Sequence, residues 1–235
     1  IYRDEEYGYD SWGNRNIVKL FAGEGNINTI ASGTEQITTT CYGAFGGTTA
    51  APQCLDDTYR AYPGWQKNAA GQLTRWNYNK SLGVPVSETD PNGVVTTASY
   101  DNFGRLTSIV RPPDSTAAPS FSVAYHDTSP YWVELQQKVD NGNATTMRKF
   151  YNGLGQLIQT QSNGMAIDDG SGGLVTQDVI VDYIYDDYGR VTHQSMPYAI
   201  TPASGYHTPS APASEYTVTD YDLRGRVVAV TLPNG

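Results

Sequence analysis

The sequence predicts an all-β chain of antiparallel hairpins joined side by side into one long, curved sheet. Three observations carry that expectation. One turn phrase is rewritten along the chain, as YDNFGRL from Tyr100, YNGLGQL from Tyr151, YDDYGRV from Tyr185 and YDLRGRV from Tyr221. Between the copies, apolar and polar residues alternate with a period of two, the pattern of a half-buried strand. The composition is heavy in Gly, Tyr, Thr, Asn and Pro and thin in the long-chain residues that build helices.

The elements follow in order. NRNIVKLFAG and GNINTIASGTEQITTTCY read as strands, preceded by a looser copy of the phrase, YDSWGNR from Tyr9. The stretch DDTYRAYPGWQKNAAGQLTRWNYN fits either a short helical turn or a sheet. From Val94 onward the pattern is nearly continuous β: VVTTASY, RLTSIV, YWVELQQKV, ATTMRKFY, QLIQTQ, VTQDVIVDYIY, RVTHQSM, YTVTDY and RVVAVTL, each bounded by Gly, Pro, Asn or Asp. In VIVDYIY, Val179, Val181, Tyr183 and Tyr185 line one side. The gaps PPDSTAAPS and TPASGYHTPSAPASE read as surface excursions. Two regions result: an irregular β-rich segment over 1–72 with a cysteine-bracketed insertion, and a repeat sheet over 73–235, the two expected to be continuous. The chain starts at Ile1 as if in mid-strand and ends at Gly235 in a turn signal, so it reads as an excerpt whose flanking repeats lie elsewhere.

Each residue of the phrase has a physical role. In the first clean copy, Tyr100 closes a strand, where its ring covers a neighbour and its hydroxyl seeks a partner. Asp101 accepts hydrogen bonds from backbone N–H groups further along, Gly104 supplies a positive φ, and Arg105 opens the return strand. The same roles fall to Tyr151, Asn152, Gly155 and Gln156; to Tyr185, Asp186, Gly189 and Arg190; and to Tyr221, Asp222, Gly225 and Arg226. Tyr9, Asp10 and Gly13 keep the first part only. At Tyr78 and Asn79 a degenerate version has Leu82 at the glycine place and Gly83 one residue late. Asn92–Gly93 and Asn141–Gly142 are further turn pairs. The copies are unevenly spaced, which suits a wide antiparallel sheet with hairpins of varied length better than a strict solenoid. Such a sheet twists, and over many strands it curls or closes.

Charge and cysteines narrow the function classes. The formal net charge is −9 with no run of Lys or Arg, which disfavours nucleic acid as a partner. No apolar stretch approaches the ~20 residues of a membrane span. Cys41 and Cys54 bracket the loop CYGAFGGTTAAPQC, which has little with which to form a core. A disulfide there would remove roughly 3 kcal/mol of unfolded-state entropy and imply an oxidising, extracellular setting; the alternative is two separate buried thiols. Other zinc ligands are missing nearby, and no cofactor is expected.

The phrase Y-D-x-x-G-R-L/V, together with SLGVPVSETDPNGVVTTASYDNFGRL, FYNGLGQLIQTQ and DYIYDDYGRVTHQSMP, resembles the Rhs/YD-repeat family. That family includes bacterial polymorphic toxins, the B and C components of Tc toxins, wall-associated proteins and the animal teneurins. The resemblance is strong from Leu73 to Gly235 and weak from Tyr7 to Phe21. It implies a sheet spiralling into a hollow shell, which in the toxins encloses an effector and in teneurins serves adhesion at the cell surface. By that likeness the repeat tyrosines and glycines build the wall and are not catalytic, and the chain is a scaffold segment of a large secreted or cell-surface protein. Its implied partners are the remainder of the same polypeptide or a shell partner, an enclosed effector, or a cell-surface protein or glycan. The aspartate-based self-cleavage segment of the family has no counterpart in this sequence.

Rival chemistries are weaker. Asp56 and Asp57 beside Tyr59, Tyr62 and Trp65 suggest a glycosidase carboxylate pair, but adjacent acids on an extended segment point to opposite faces. His126, His193 and His207 are scattered, and neighbouring Ser129, Ser195 and Ser210 lack a nucleophile elbow. The stretch DDGSGG at Asp168–Gly173 lacks the spaced oxygen ligands of a calcium loop. Tyr59, Tyr62, Trp65, Trp76 and Tyr78 offer an aromatic platform for a glycan or protein, against the usual fate of such rings in packing. No catalytic or metal residue is assigned, and the chain is read as a non-enzyme.

Overall fold

The computed structural model describes residues 5–21, 35–55, 60–140, 142–168, 170–202 and 205–233. The described elements are strands apart from one 3-10 turn at Ala213–Glu215. Asp56, Asp57, Tyr59, Asn141 and Asp169 lie outside the described residues. The backbone divides into two compact units, Ile1–Pro119 and Ser120–Gly235, so the division falls inside the stretch whose sequence reads as one repeat array.

In the first unit the strands are β1 (Glu5–Tyr9), β2 (Arg15–Phe21), β3 (Glu35–Cys41), β4 (Ala44–Gly47), β5 (Pro52–Leu55), β6 (Trp65–Lys67), β7 (Leu73–Asn79), β8 (Val84–Thr89), β9 (Val95–Tyr100) and β10 (Leu106–Val110). All but β4 and β5 form an antiparallel meander in which β3 passes directly to β6. Strands β4 and β5 make a hairpin of their own within the insertion. From Trp65 to Asn79 the stretch that fitted either a helical turn or a sheet is the β6–β7 hairpin. Its aromatics alternate with polar residues, and Trp65 and Leu73 are buried with Cys41 as a small core, with Phe45 of β4 packed against it.

In the second unit β11 (Phe121–His126), β12 (Tyr131–Asp140), β13 (Asn143–Tyr151), β14 (Leu157–Asp168) and β15 (Leu174–Tyr185) pair in chain order. Beyond β15 the ladder splits. β16 (Val191–Ser195) pairs with one end of β15, and β17 (Tyr198–Ile200) pairs with the same strand further along. β18 (Tyr216–Tyr221) pairs with β16, and β19 (Val227–Thr231) completes the sheet. Between β17 and β18 runs the Pro- and Ser-rich stretch that reads as a surface excursion.

That stretch does not leave the surface bare. Its residues 205–210 form a strap over one face of the sheet, with Tyr206 edge-on to Phe150 at 5.8 Å between centroids. The face beneath it holds Phe150 and Ile180, both buried, beside the buried polar residues Gln159, Gln161, Asp178, Asp182 and Ser195. Along β15 the most buried residues are therefore Asp178, Ile180 and Asp182, not the Val179–Val181 side. The reason is chemical. A loop lying on a sheet brings unpaired backbone groups, and only polar side chains can satisfy them out of water. Gln159 does this twice: its Oε1 accepts the His207 N–H at 3.1 Å and its Nε2 donates to the His207 carbonyl at 2.8 Å, as a neighbouring strand would. Gln161 donates to the Gly205 carbonyl at 2.9 Å and to Gln159 Oε1 at 2.8 Å. Asp182 accepts from Gln159 Nε2 and the Tyr198 hydroxyl, both at 2.6 Å.

Candidate functional site

The repeated phrase closes as one small unit of backbone. In the Tyr100 copy, Gly104 N–H donates to the Asp101 carbonyl and Asp101 N–H to the Arg105 carbonyl, both at 3.0 Å. Asp101 Oδ1 accepts the N–H groups of Phe103 and Arg105 at 2.9 Å each, and Oδ2 accepts Arg105 Nε at 2.7 Å. One carboxylate thus satisfies two backbone donors and a guanidinium. Gly104, Gly155, Gly189 and Gly225 have φ of 77, 75, 79 and 80°, the left-handed region in which a side chain costs energy. The strand pairing slips beside the tyrosine in every copy, at Tyr9, Tyr100, Tyr151, Tyr185 and Tyr221, as expected for a type I turn followed by a glycine bulge.

The same closure recurs without tyrosine. Asp90 accepts from the N–H groups of Asn92 and Val94, with Gly93 at φ 84°. Asn68 accepts from Gln72 N–H, with Gly71 at φ 79°. Asn92 is not in the left-handed region, so DPNG is not an Asn–Gly two-residue turn but the repeat closure with Thr89 where the tyrosine would stand. Apart from the Asp90 closure, whose sixth place is Val94, the residues at the second and sixth places pair through their side chains. Asp101, Asp186 and Asp222 each hold an arginine, whereas Asn152 and Asn68 each hold a glutamine amide, at 2.6 and 2.8 Å. Asp10 takes Asn14 Nδ2 in place of a cation.

Tyrosine does something different, tying one closure to the preceding one. Tyr185 Oη donates to the carbonyl of Leu157, the last residue of the Tyr151 phrase, at 2.8 Å. Tyr221 Oη donates to the carbonyl of Val191, the last residue of the Tyr185 phrase, at 3.0 Å. Tyr100 Oη reaches the Pro85 carbonyl just past the degenerate Tyr78 turn, at 2.8 Å. The sixth residue also reaches the next turn. The Arg190 guanidinium lies 4.5 Å from the Tyr221 ring centre and donates to the Asp222 carbonyl at 3.2 Å. A Cβ on Gly189 would stand 2.8 Å from Gln156 Nε2, the tip of a flexible side chain that belongs to the preceding closure.

Residues 68–117, which hold the Asn68, Asp90 and Tyr100 closures, match the family model described as RHS Repeat. Over these residues the chain resembles an RHS repeat. Residues 123–231 match a model described only as a domain of unknown function, DUF6443. The chain superposes on the crystal structure of TcdB2-TccC3 with a TM-score of 0.67 at 14% identity, covering 100% of its own length and 13% of that chain. Against the Tc holotoxin pore of Photorhabdus luminescens, with a mutated TccC3, the TM-score is 0.30 at 15% identity, covering 96% of this chain and 15% of that one. The first likeness shows a shared all-β fold. No curated protein matches the chain.

The charges of the closures are tuned by the same contacts. At Asp101, burial would raise the carboxyl, but hydrogen bonds from the Arg105 side chain and from the Arg105 and Phe103 N–H groups outweigh it and hold it below the usual carboxylate range. At Asp186 and Asp222, the backbone N–H of the following arginine leads in lowering the carboxyl, with its guanidinium helping. Position four projects outward: Trp12, Phe103, Leu154 and Tyr188 are exposed.

The other sequence candidates disperse into packing. The His126 ring stacks on Trp132, His193 meets Tyr216 edge-on, and the His207 backbone is pinned by Gln159. Ser195 Oγ accepts the Asp182 N–H at 2.9 Å, and Ser210 N–H donates to the Tyr198 hydroxyl. Asp168 Oδ1 caps the Gly170 N–H at the β14–β15 tip. Among the described residues no cluster of three or more His, Cys, Asp or Glu is placed to hold a metal. Trp65 is buried, whereas Tyr62 stacks on Tyr78 with 4.9 Å between centroids.

Cys41 and Cys54 are joined as a disulfide, and the insertion they bracket makes a cavity. Gly43–Phe45 from the insertion, the return segment Arg60–Gly64 and the β7 residues Arg75–Tyr78 enclose a volume of about 460 Å³, with Lys80 and Thr89 at its edge. Sequence reasoning misses this site because it depends on where the insertion lands.

Proposed function

We propose that the chain is a structural segment of a larger RHS-repeat wall, secreted or displayed at the cell surface, that encloses an effector polypeptide. The observation that carries the reading is the tether between consecutive closures, in which Tyr185 and Tyr221 each bond to the end of the preceding phrase. A turn needs no such bond to close, but a continuous wall gains rigidity from bonds between successive closures. The likeness in fold to TcdB2-TccC3, of which the chain spans 13%, supports a role within a much longer polypeptide. The disulfide supports an oxidising environment outside the cytosol. The partners of this segment are then the neighbouring repeats of its own polypeptide or another shell chain, together with the enclosed cargo. Electron microscopy of the full-length polypeptide tests this. A closed particle with cargo protected from added protease is the expected result; a solid particle, or an open sheet with every segment equally cleavable, would end the proposal.

A further inference from the structure

We propose that the cavity between the disulfide-bracketed insertion and β7 is a binding site for an acidic saccharide. Its volume of about 460 Å³ falls in the range of small-ligand sites, roughly 300–1,000 Å³. It is a constructed space, not a gap in packing. The insertion is anchored by the Cys41–Cys54 bond and by Trp65 Nε1, which donates to the Gln53 carbonyl at 3.2 Å. The return segment is clamped to both sides, since Gly64 N–H donates to the Cys41 carbonyl at 2.8 Å and its own carbonyl accepts the Trp76 N–H at 2.9 Å. A Cβ on Gly64 would fall 1.7 Å from the Gly43 carbonyl oxygen, so the two walls meet at a closeness only glycine allows.

The lining names the ligand class. Phe45, Tyr62, Trp76 and Tyr78 supply aromatic surface, suited to the flat C–H faces of a pyranose ring. Arg60, Arg75 and Lys80 supply positive charge, and no Asp or Glu is among the described lining residues, in a chain with 24 acids and 15 bases. Arg75 is held in place by the Phe45 ring, 4.8 Å from its guanidinium carbon. Arg60 lies over Trp12 and shares its charge with Asp10. A peptide added as an extra strand has no place here, because β7 is already paired with β6 on one side and β8 on the other. Recognition must come from side chains, and rings combined with cations select a sugar that carries carboxylates.

Calorimetric titration of the 235-residue chain with tetragalacturonate tests the proposal, with maltotetraose as the neutral probe and tetraglutamate as the acidic peptide. Tetragalacturonate is expected to bind at least tenfold more tightly than either, and less tightly as salt is raised. Arg75→Gln, Lys80→Gln and Tyr62→Ala should each weaken it fivefold or more, while Tyr188→Ala, outside the cavity lining, should leave it unchanged. Lys80 lies in an exposed turn, so Lys80→Gln reads the site even if Arg75→Gln or Tyr62→Ala disturbs the fold by circular dichroism. Absence of tetragalacturonate binding by the unaltered chain, equal binding of the three probes, or unchanged affinity in Lys80→Gln would each overturn the proposal.

Discussion

The Tyr185 hydroxyl and the Leu157 carbonyl meet at 2.8 Å, joining the start of one closure to the end of the one before. The bond separates two functions that the repeated phrase combines. Aspartate or asparagine with glycine makes the turn, and tyrosine makes the connection. Tyr185→Phe should therefore leave the Asp186 turn intact but weaken the tie between β14 and the β15–β16 closure. The expected loss is about 1 kcal/mol, the usual worth of such a hydrogen bond, seen as a fall in Tm of roughly 2–4 °C. A Tyr185→Phe chain as stable as the original would show that the tie is idle.

Glycine at the fifth place is required by its backbone. Gly189 and Gly104 have φ of 79 and 77°, which penalises any side chain. Gly189→Ala and Gly104→Ala should each cost roughly 1–2 kcal/mol, because the one atom close to a Cβ on Gly189, Gln156 Nε2, is the tip of a flexible side chain, and nothing lies within 4 Å of a Cβ on Gly104. Gly153→Ala, also in open space and without a positive φ, should be neutral. Chemical denaturation of the three variants ranks them directly.

Arg190 and Arg226 occupy equivalent places, yet only Arg190 reaches a following turn, through the Tyr221 ring and the Asp222 carbonyl. Arg226 has a largely exposed side chain paired with Asp222. Arg190→Ala should lower Tm by a few degrees, given roughly 0.5–1 kcal/mol for the cation–π contact and a further hydrogen bond. Arg226→Ala should cost less than Arg190→Ala, since it loses only an exposed ion pair.

The three aspartates held below the usual carboxylate range make the fold sensitive to acid. Their contribution is present above the unfolded value near 4 and is lost as pH falls through the lower folded values of Asp101, Asp186 and Asp222. Stability should therefore be level at neutral pH and decline below about pH 4. Carbon-detected titration of the carboxyls should place these three below freely exposed aspartates, and Asn152, which cannot titrate, provides an internal contrast.

At the alkaline end, burial and then the hydrogen bond to Asp182 push Tyr198 up to about 12. The folded chain keeps a proton that the unfolded chain releases near pH 10, so stability should fall between about pH 10 and 12. Tyr198→Phe should remove one late component from the ultraviolet titration and make the 205–210 strap easier to cleave with protease. An unchanged titration would place the late ionisation on another tyrosine.

Fold class is legible in the sequence because the closure is local. Asp101, Gly104 and Arg105 act within five residues, and residue type alone dictates who donates and who accepts. The Asn68 and Asp90 closures are hidden from a search anchored on tyrosine, which plays no part in closing a turn. The strap is hidden for the opposite reason. Gln159, Gln161 and Asp182 are polar at alternate places, which reads as a solvent face, and only long-range folding brings His207 and Gly205 down to use them. The aromatic cluster is half legible: the sequence shows the rings together, but Trp65 goes into the core while Tyr62, Trp76 and Tyr78 go to the cavity.

Because every closure carries its own acceptor and its own glycine, none depends on how long the strands are that lead into it. β14 and β15 have 12 residues each while β16 has five, yet they meet at the same kind of corner. Insertions and deletions on the far side of a hairpin can therefore accumulate without retuning the corner, and the height of the sheet can drift along its length while its stitching stays constant.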